Sequence, residues 1–318
     1  MSLSTIEGWR KALNGLPSRQ EGDGKPIPTF YFAHGHPGTL VEMRSKPFKM
    51  ASSSNGELRD FLIDFGPKLI EKYRPKALVV FSAHWETNGH IKVTDYGEDQ
   101  PLLRDYYGFP DHAYSVEWHS DGSTELTDKV ISCLIRAGIM AKRTLRSEPR
   151  GEDGVTGPAS GLDHGVFIPF NLMFPEAVKK RFQIPVVQVS IAGSLKPADE
   201  IKLGQAISSL RHEGVLILAG GLTIHNFRRF EEWDAEKASK PVKEFELAIV
   251  EASLKKDGEE RLKSLKDLTK LPGFRLACPR EEHFAPIWIA AGAGSDQGQS
   301  QILCDLHGSK TIAYGVVA

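Results

Sequence analysis

The chain has 318 residues, of which 40% are apolar, and this is enough for a sizeable core in one large α/β domain or two ordinary ones. Lysine and arginine total 40 against 41 aspartates and glutamates, so the charge balance argues against a nucleic-acid partner and fits a small ligand of neutral or mixed charge. The three cysteines form no CxxC pair and the apolar runs fall far short of the roughly 20 residues of a membrane span, which argues against a disulfide framework, a zinc ribbon and a membrane protein, and favours a reducing, cytoplasmic location.

The first 20 residues contain three basic residues but also Glu7, and they lack the apolar stretch of a secretory signal. A short amphipathic helix or a frayed tail is therefore expected here rather than a transit peptide.

Four apolar segments are predicted to be strands, because each is short and rich in Val, Ile, Leu or Phe. They are Thr29–Ala33, Ala77–Ala83, Pro185–Ile191 and Val215–Gly220. Helical patterns lie between them, from Glu57 to Tyr73 and after Ser123, Pro197 and Pro241. No repeat or convincing linker divides the chain. The alternation predicts a single α/β domain with a mainly parallel central sheet and helices on both faces.

Two long segments without a strand or helix pattern, residues 95–122 and 146–164, are dense in Gly, Pro, Asp, Tyr and His. Loops of this length in a compact domain usually line a site or are disordered. The first one contains Tyr106, Tyr107, Phe109, Tyr114 and Trp118, and aromatic side chains need somewhere to pack. Ordered loops that line a site are therefore expected.

Three of the eleven histidines stand where an apolar strand ends: His34, His84 and His225. Ligands of an open α/β sheet bind outside the carboxyl ends of its strands, so these imidazoles are expected to converge on one crevice. Imidazole is a suitable ligand for zinc and for non-haem Fe(II). The sequence therefore predicts a metal site at the C-terminal ends of the strands.

Two further histidines are candidates for the same crevice. His283 lies beside two carboxylates at the start of an apolar, helix-like run, and it would complete the metal site. His164 has small neighbours that let a ligand approach, and it is expected either to act as an acid or base or only to hydrogen-bond a ligand. His36 is ambiguous, because it and His34 are close enough in sequence to present either ring. Loop or surface positions are expected for His90, His112, His119, His212 and His307.

Seven short blocks occur in a fixed order between about residue 30 and residue 294. They are HGHP (34–37), SAHWET (82–87), YYGFP (106–110), GLDHG (161–165), IPVVQVS (184–190), HNFR (225–228) and EHFAP (282–286). In these blocks the chain resembles the class III, LigB-type extradiol ring-cleavage dioxygenases, and within them the branch of DOPA 4,5-dioxygenases.

The resemblance implies one metal ion per chain, Fe(II) or Zn²⁺, held by His34 and His84 with a third ligand near His283, where Glu282 either substitutes for the histidine or assists it. It places His225 at the metal, as a ligand or as the acid or base, and His164 against the substrate or oxygen. The implied activity is that of an oxidoreductase that incorporates both atoms of O2 into a catechol-type, DOPA-like diol and gives a ring-opened semialdehyde.

Compared with the family, residues 27–318 correspond to the catalytic domain and residues 1–26 to an N-terminal extension. Extra sequence around residues 46–55 and 230–239 is expected to reshape the pocket mouth or to mediate homodimer contacts, and Ala33 replaces the usual serine. Two alternatives keep the same fold. One is a zinc-dependent hydrolase with Glu86 or Glu282 as its base, and the other is a metal-binding protein without enzymatic activity.

Overall fold

The computed structural model describes residues 2–20, 22–40, 55–150 and 159–318. Eight strands in these residues form one sheet. They are β1 (Thr29–Ala33), β2 (Ala77–Thr87), β3 (Ile91–Asp95), β4 (Ala141–Leu145), β5 (Val186–Ala192), β6 (Val215–Gly221), β7 (Gln299–Leu306) and β8 (Ser309–Val316). Their order across the sheet is β4-β3-β5-β2-β6-β1-β8-β7.

The centre of the sheet is parallel, since β5, β2, β6 and β1 pair in that order and all in the same direction. Strands β3 and β4 are also parallel to each other. Strand β8 pairs antiparallel with β1 and β7, and β3 pairs antiparallel with β5. The predicted single α/β domain with a mainly parallel sheet is confirmed, whereas the β7–β8 hairpin was not predicted.

The helices cover both faces of the sheet. Those of the described residues are α1 (Ile6–Gly15), α2 (Pro37–Leu40), α3 (Asn55–Tyr73), α4 (Thr124–Arg136), α5 (His164–Met173), α6 (Pro197–Ala206), α7 (Lys240–Ser253), α8 (Gly258–Asp267), α9 (Pro272–Ala277) and α10 (Ala285–Ala293). Ser123 caps α4 by accepting a hydrogen bond from Leu126 N, so this helix begins where the sequence predicted.

Successive residues of the central strands enter two separate cores, one on each face of the sheet. On β2, Leu78 and Val80 pack with α3 and α5, whereas Val79 and Phe81 pack with α6 and α10. This is the two-residue alternation of an extended strand. Every residue of β1 and β6 is buried, so neither strand has a side that faces solvent.

Strand β2 is longer than predicted, because it continues past Ala83. Its pairing with β5 shifts register between Phe81 and Glu86. The residues between them bulge from the ladder, and such bulges commonly redirect a side chain next to a functional site. His84 lies in this bulge.

The N-terminal segment forms α1, which packs against α3. Trp9 is fully buried, and its ring meets that of Phe61 edge-on with the centroids 6.0 Å apart. Asp64 accepts hydrogen bonds from Trp9 Nε1 at 2.9 Å and from Arg10 Nε at 2.7 Å. Of the alternatives for this stretch, the helix is the one observed. None of the described helices has both the length and the apolarity to cross a lipid bilayer.

Candidate active site

The carboxyl ends of β1, β2 and β6 lie side by side and carry three of the predicted histidines. His34 directly follows β1, and its N–H donates to Gly221 O at the end of β6, at 3.2 Å. His84 comes from the bulge of β2. His225 follows β6 closely, and its N–H donates to Ala277 O of α9 at 2.8 Å. The parallel sheet thus brings together residues that are far apart in the sequence.

His283 reaches the same edge from the turn before α10. Leu222 N donates to His283 O at 2.8 Å, and a Cβ at position 221 would lie 2.3 Å from that oxygen. Glycine at this position therefore allows the turn to approach β6. The apolar run that follows is buried throughout as α10 and anchors the turn.

The imidazoles of His34, His84 and His283 converge on one point. One nitrogen of each lies within 4.8 Å of the others, and the Nε2 atoms of His283 and His84 are 3.3 Å apart. His34 Nδ1 lies 2.7 Å from Gly35 O, while His34 Nε2 is buried and has no hydrogen-bond partner among the described residues. Burying a polar atom without a partner is costly, and a bound metal ion would provide one. The donor set fits Zn²⁺ or Fe(II).

Burial keeps these imidazoles neutral. It lowers the pKa of His34 and of His84 well below the usual histidine value and lowers the pKa of His283 to about 3, and neighbouring imidazoles add to the effect. A neutral imidazole is the form that coordinates a metal. The electrostatics of the cluster therefore agree with its geometry.

His225 belongs to a second group, with Glu282 and His283. Its ring is stacked on that of His283, with the centroids 3.3 Å apart and 16° between the planes. Glu282 Oε1 lies 3.5 Å from His225 Nδ1 and 3.0 Å from His283 Nδ1. Burial opposes ionisation of Glu282, but the two histidines outweigh it and hold the pKa of this carboxyl well below its usual range. Glu282 thus engages His283 through Nδ1 and leaves Nε2 directed towards His84.

His164 begins α5 and is paired with Asp105, which the sequence analysis did not single out. Asp105 Oδ1 accepts hydrogen bonds from His164 N at 2.9 Å and from His164 Nδ1 at 2.7 Å. Burial opposes a charge on the imidazole, but Asp105 outweighs it and raises the pKa of His164. The ring centroids of His164 and His84 are 3.9 Å apart, so this pair borders the three converging imidazoles.

The glycine after His164 allows this close approach. A Cβ at Gly165 would lie 2.5 Å from Ser82 Oγ and 2.8 Å from Cδ2 of His84. The sequence analysis attributed the small neighbours of His164 to the approach of a ligand. The structure shows instead that Gly165 makes room for His84.

A buried polar network supports His84 from behind. Ser82 Oγ accepts from His84 N at 3.2 Å and donates to Asp163 Oδ1 at 2.7 Å. The other oxygen of Asp163 accepts from Arg150 Nη2 at 2.8 Å and from Gln188 Nε2. Both side chains of the Arg150–Asp163 ion pair are fully buried. The network fixes the backbone of the bulge and hence the position of His84.

The histidine cluster opens into a cavity of about 340 Å³. Tyr106 and Phe109 line it from the loop after β3, and Phe227 and Trp233 line it from the segment after β6. Pockets of about 300–1,000 Å³ with apolar walls and a few convergent polar groups are typical of small-ligand sites. The loop at residues 95–122 therefore lines the site, as expected. Residues 151–158 of the second predicted loop, and most of the extra segment around residues 46–55, lie outside the described residues.

An ion pair lies at the mouth of the cavity. Arg280 Nη2 is 2.7 Å from both carboxylate oxygens of Glu86, and Arg280 Nη1 is 3.6 Å from Glu282 Oε2. The side chain of Arg280 is 52% exposed and that of Glu86 is 19% exposed. Glu86, a candidate base in the hydrolase alternative, is therefore held by an arginine.

Of the six remaining histidines, only His36 is among the described residues that line the cavity. His36 lines the cavity, but its Nδ1 accepts from Gly38 N at 3.0 Å and burial lowers its pKa to about 4. The described residues that line the cavity do not include His90, His112, His119, His212 and His307.

Sequence reasoning missed three features of the site: Asp105, the Arg150–Asp163 pair and the role of Arg280. Asp105 directly precedes the YYGFP block, and a carboxylate beside such a block is the signal that could have indicated it. The Arg150–Asp163 pair gave no signal, because charged residues in a polar segment are normally exposed to solvent. Arg280 gave no signal of its own, because an arginine beside the two carboxylates of the PREEH segment is expected to form an ordinary surface ion pair.

Known proteins resemble this chain over nearly its whole length. Residues 28–316 match the family described as the catalytic LigB subunit of aromatic ring-opening dioxygenase. The 4,5-DOPA dioxygenase extradiol-like protein of Schizosaccharomyces pombe is 39% identical over 99% of both chains, and the 4,5-DOPA dioxygenase extradiol of Beta vulgaris is 30% identical over 90% of this chain and 94% of its own. The crystal structure of an uncharacterized Escherichia coli K12 protein, 23% identical, covers 91% of this chain and 100% of its own with a TM-score of 0.63, which shows the same fold. The resemblance predicted from the sequence blocks is thereby confirmed, and the chain belongs to the LigB family of aromatic ring-opening dioxygenases.

Proposed function

We propose that this protein opens the ring of a catechol-type, DOPA-like diol with O2. The carbon–carbon bond beside the diol breaks. Its hydroxyl-bearing carbon becomes a carboxyl group and its other carbon an aldehyde, so both oxygen atoms are retained in the semialdehyde product. The observation that carries the proposal is the convergence of His34, His84 and His283 on one buried point next to an aromatic-walled cavity.

His34, His84 and His283 would hold one metal ion per chain, with Glu282 orienting His283. Bound Fe(II) supplies the one-electron chemistry that lets O2 react with a diol, whereas Zn²⁺ supplies only Lewis acidity. His225 is proposed as an acid or base rather than a ligand, because it is grouped with Glu282 and stacked on His283 instead of facing His34 and His84.

His164 is proposed to accept the phenolic proton. Its Nδ1–H donates to Asp105, which leaves Nε2 as the nitrogen that takes up a proton, and the carboxylate stabilises the resulting imidazolium. The aromatic walls hold the ring of the substrate and exclude water from the reaction. The chain thus contributes positioning, proton transfer and a dry environment.

The proposal is tested by reconstituting the protein anaerobically with Fe(II) or Zn²⁺ and then measuring O2 uptake on a panel of catechols that includes DOPA. We expect uptake with Fe(II), in proportion to the diol consumed, together with the yellow colour of a semialdehyde. Stoichiometric Fe(II) without uptake on any catechol would reject the proposal and favour the zinc hydrolase or the protein without enzymatic activity.

For the chain as a whole, we propose residues 27–318 as the catalytic domain and residues 1–26 as an extension that stabilises it through α1. All the proposed site residues lie between His34 and His283. The three cysteines are buried and unpaired, which fits a reducing compartment such as the cytoplasm.

A further inference from the structure

Among the described residues that line the cavity, Arg280 is the single lysine or arginine. The same lining includes three carboxylates, those of Glu86, Asp105 and Glu282. Histidines engage Asp105 and Glu282, and Glu86 is the carboxylate to which Arg280 donates hydrogen bonds, while Arg280 Nη1 lies 3.6 Å from Glu282 Oε2. The charge of Arg280 is therefore placed where a ligand enters, and its partner is a side chain at the mouth of the cavity.

Arg280 holds Glu86 through a single nitrogen. Nη2 makes both 2.7 Å contacts, and within the described part of the chain Nε donates no hydrogen bond, while Nη1 faces Glu282 Oε2 at 3.6 Å, which is too long for one. A guanidinium binds a carboxylate best through two parallel N–H···O bonds from two nitrogens. Glu86 does not use this geometry, and the side chain of Arg280 is half exposed. The edge formed by Nε and Nη2 thus becomes available to a second carboxylate when Nη2 releases Glu86.

We propose that Arg280 selects for an anionic group on the side chain of the aromatic diol. It does so by exchanging its one-nitrogen contact with Glu86 for a two-nitrogen contact with a carboxylate of the substrate. Arg280 keeps a carboxylate partner throughout the exchange, and its side chain is 52% exposed, so water solvates the guanidinium as it changes partner. The inference rests on the proposed function, since the diol has to lie against the histidines for its side chain to reach the mouth.

A second arginine in the same segment provides a matched control. Arg275 pairs with Glu281, and the exposed fractions of the two side chains are 55% and 21%, close to those of Arg280 and Glu86. Arg275 is not among the described residues that line the cavity. Substitution of Arg275 therefore shows the effect of removing an arginine from this segment when no contact to the ligand is removed.

The test uses two pairs of ligands whose members differ by one carboxylate. DOPA is compared with dopamine, and 3,4-dihydroxyphenylpropionate is compared with 4-ethylcatechol. Dissociation constants are measured by calorimetry in the absence of oxygen on the metal-loaded full chain. Anaerobic binding separates recognition of the side chain from turnover.

We expect the protein to bind the carboxylate-bearing member of each pair about tenfold more tightly. Arg280→Gln should bring this ratio close to one, and Arg280→Lys should leave an intermediate ratio, because lysine keeps the charge but not the two-nitrogen edge. Glu86→Gln should increase the ratio, since the substrate then meets no competing carboxylate. Arg275→Gln should keep the ratio of the unmodified protein.

A ratio below about twofold in either pair, or a ratio that persists in Arg280→Gln, would overturn the inference. An ion pair that only closes the mouth predicts that Arg280→Gln and Glu86→Gln change all four dissociation constants alike, and that result would overturn it as well. Equal binding within both pairs rejects the role of Arg280 and leaves the proposed function standing, whereas failure of all four diols to bind rejects both.

Discussion

The two walls of the cavity are built differently. The wall formed by β2 and α5, here called the β2–α5 wall, carries His84 and His164 and is backed by the fully buried ion pair of Arg150 and Asp163. Another part of the lining, here called the Arg280 wall, consists of the side chains of Phe227, Trp233 and Arg280 and does not include the neighbouring His225 and His283. Phe227 on this wall is 48% exposed, and the side chain of Arg280 is 52% exposed.

We infer from this difference that the β2–α5 wall positions the reacting groups and that the Arg280 wall selects among substrates. Buried, hydrogen-bonded polar groups have few alternative arrangements, whereas half-exposed groups are solvated and can rearrange at little cost. Metal binding and proton transfer require fixed geometry, and the choice among related substrates does not. We therefore expect substitutions in the β2–α5 wall to abolish metal binding, turnover or folding, and substitutions in the Arg280 wall to change affinity.

The largest effect is expected for His84→Ala, which removes the central imidazole of the cluster. The variant should bind no metal after reconstitution and dialysis, because only two of the three converging nitrogens remain and two are too few to hold the ion. Metal content by elemental analysis is the measurement. His90→Ala removes an exposed histidine of the same part of the chain and should keep full occupancy. Full occupancy in His84→Ala would contradict the assignment of the metal site.

His164→Ala should retain the metal and lower kcat about 10²- to 10⁴-fold, the range expected for loss of a general acid or base. Asp105→Asn should cause a smaller loss, since the imidazole stays in place but its proton is held less firmly. Oxygen uptake and metal content are measured on the same samples. If turnover and metal are lost together, His164 is a ligand and the division of roles within the β2–α5 wall is wrong.

Asp163→Ala should destabilise the protein by about 3–5 kcal/mol, because it leaves the buried guanidinium of Arg150 without its charge partner. Chemical denaturation of the metal-free protein measures the change. The matched control is Asp267→Ala, which breaks an exposed ion pair with Lys270 and should have a much smaller effect. Equal effects in the two variants would show that the network behind His84 contributes no more than a surface contact.

The fold was predictable where the signal is local. An apolar run followed by histidine is visible in the sequence, and it located β1, β2 and β6 together with the residues at their ends. Strand β8 was not predicted, because it begins with Ser309, Lys310 and Thr311, which look like part of a polar turn. The structure buries all three, and Lys310 Nζ lies 3.2 Å from the buried carboxylate of Glu246 on α7. Only tertiary contacts supply that partner.

The candidate site shows the same limit. Strand position indicated the histidines, but their supporting partners depend on which loops meet. Asp105 is 59 residues from His164 in the sequence, and its place before the YYGFP block does not indicate which residue it pairs with. The bulge at His84 likewise depends on the register between β2 and β5 rather than on the residues of the bulge itself.

The smallest effect is expected for Phe227→Ala in the Arg280 wall. Phe227 stacks on Trp233 with the centroids 5.6 Å apart, so its removal takes away part of an aromatic surface while Trp233 remains. KM for catechols should rise about three- to tenfold with a smaller change in kcat, which is the pattern of lost binding shared by the ground state and the transition state. Leu247→Ala, which truncates an apolar residue that is 64% exposed and does not line the described cavity, should change neither constant. A fall in kcat as large as that of His164→Ala would mean that the Arg280 wall also positions the reacting groups, because loss of a wall that only selects substrates cannot slow the chemical step to that extent.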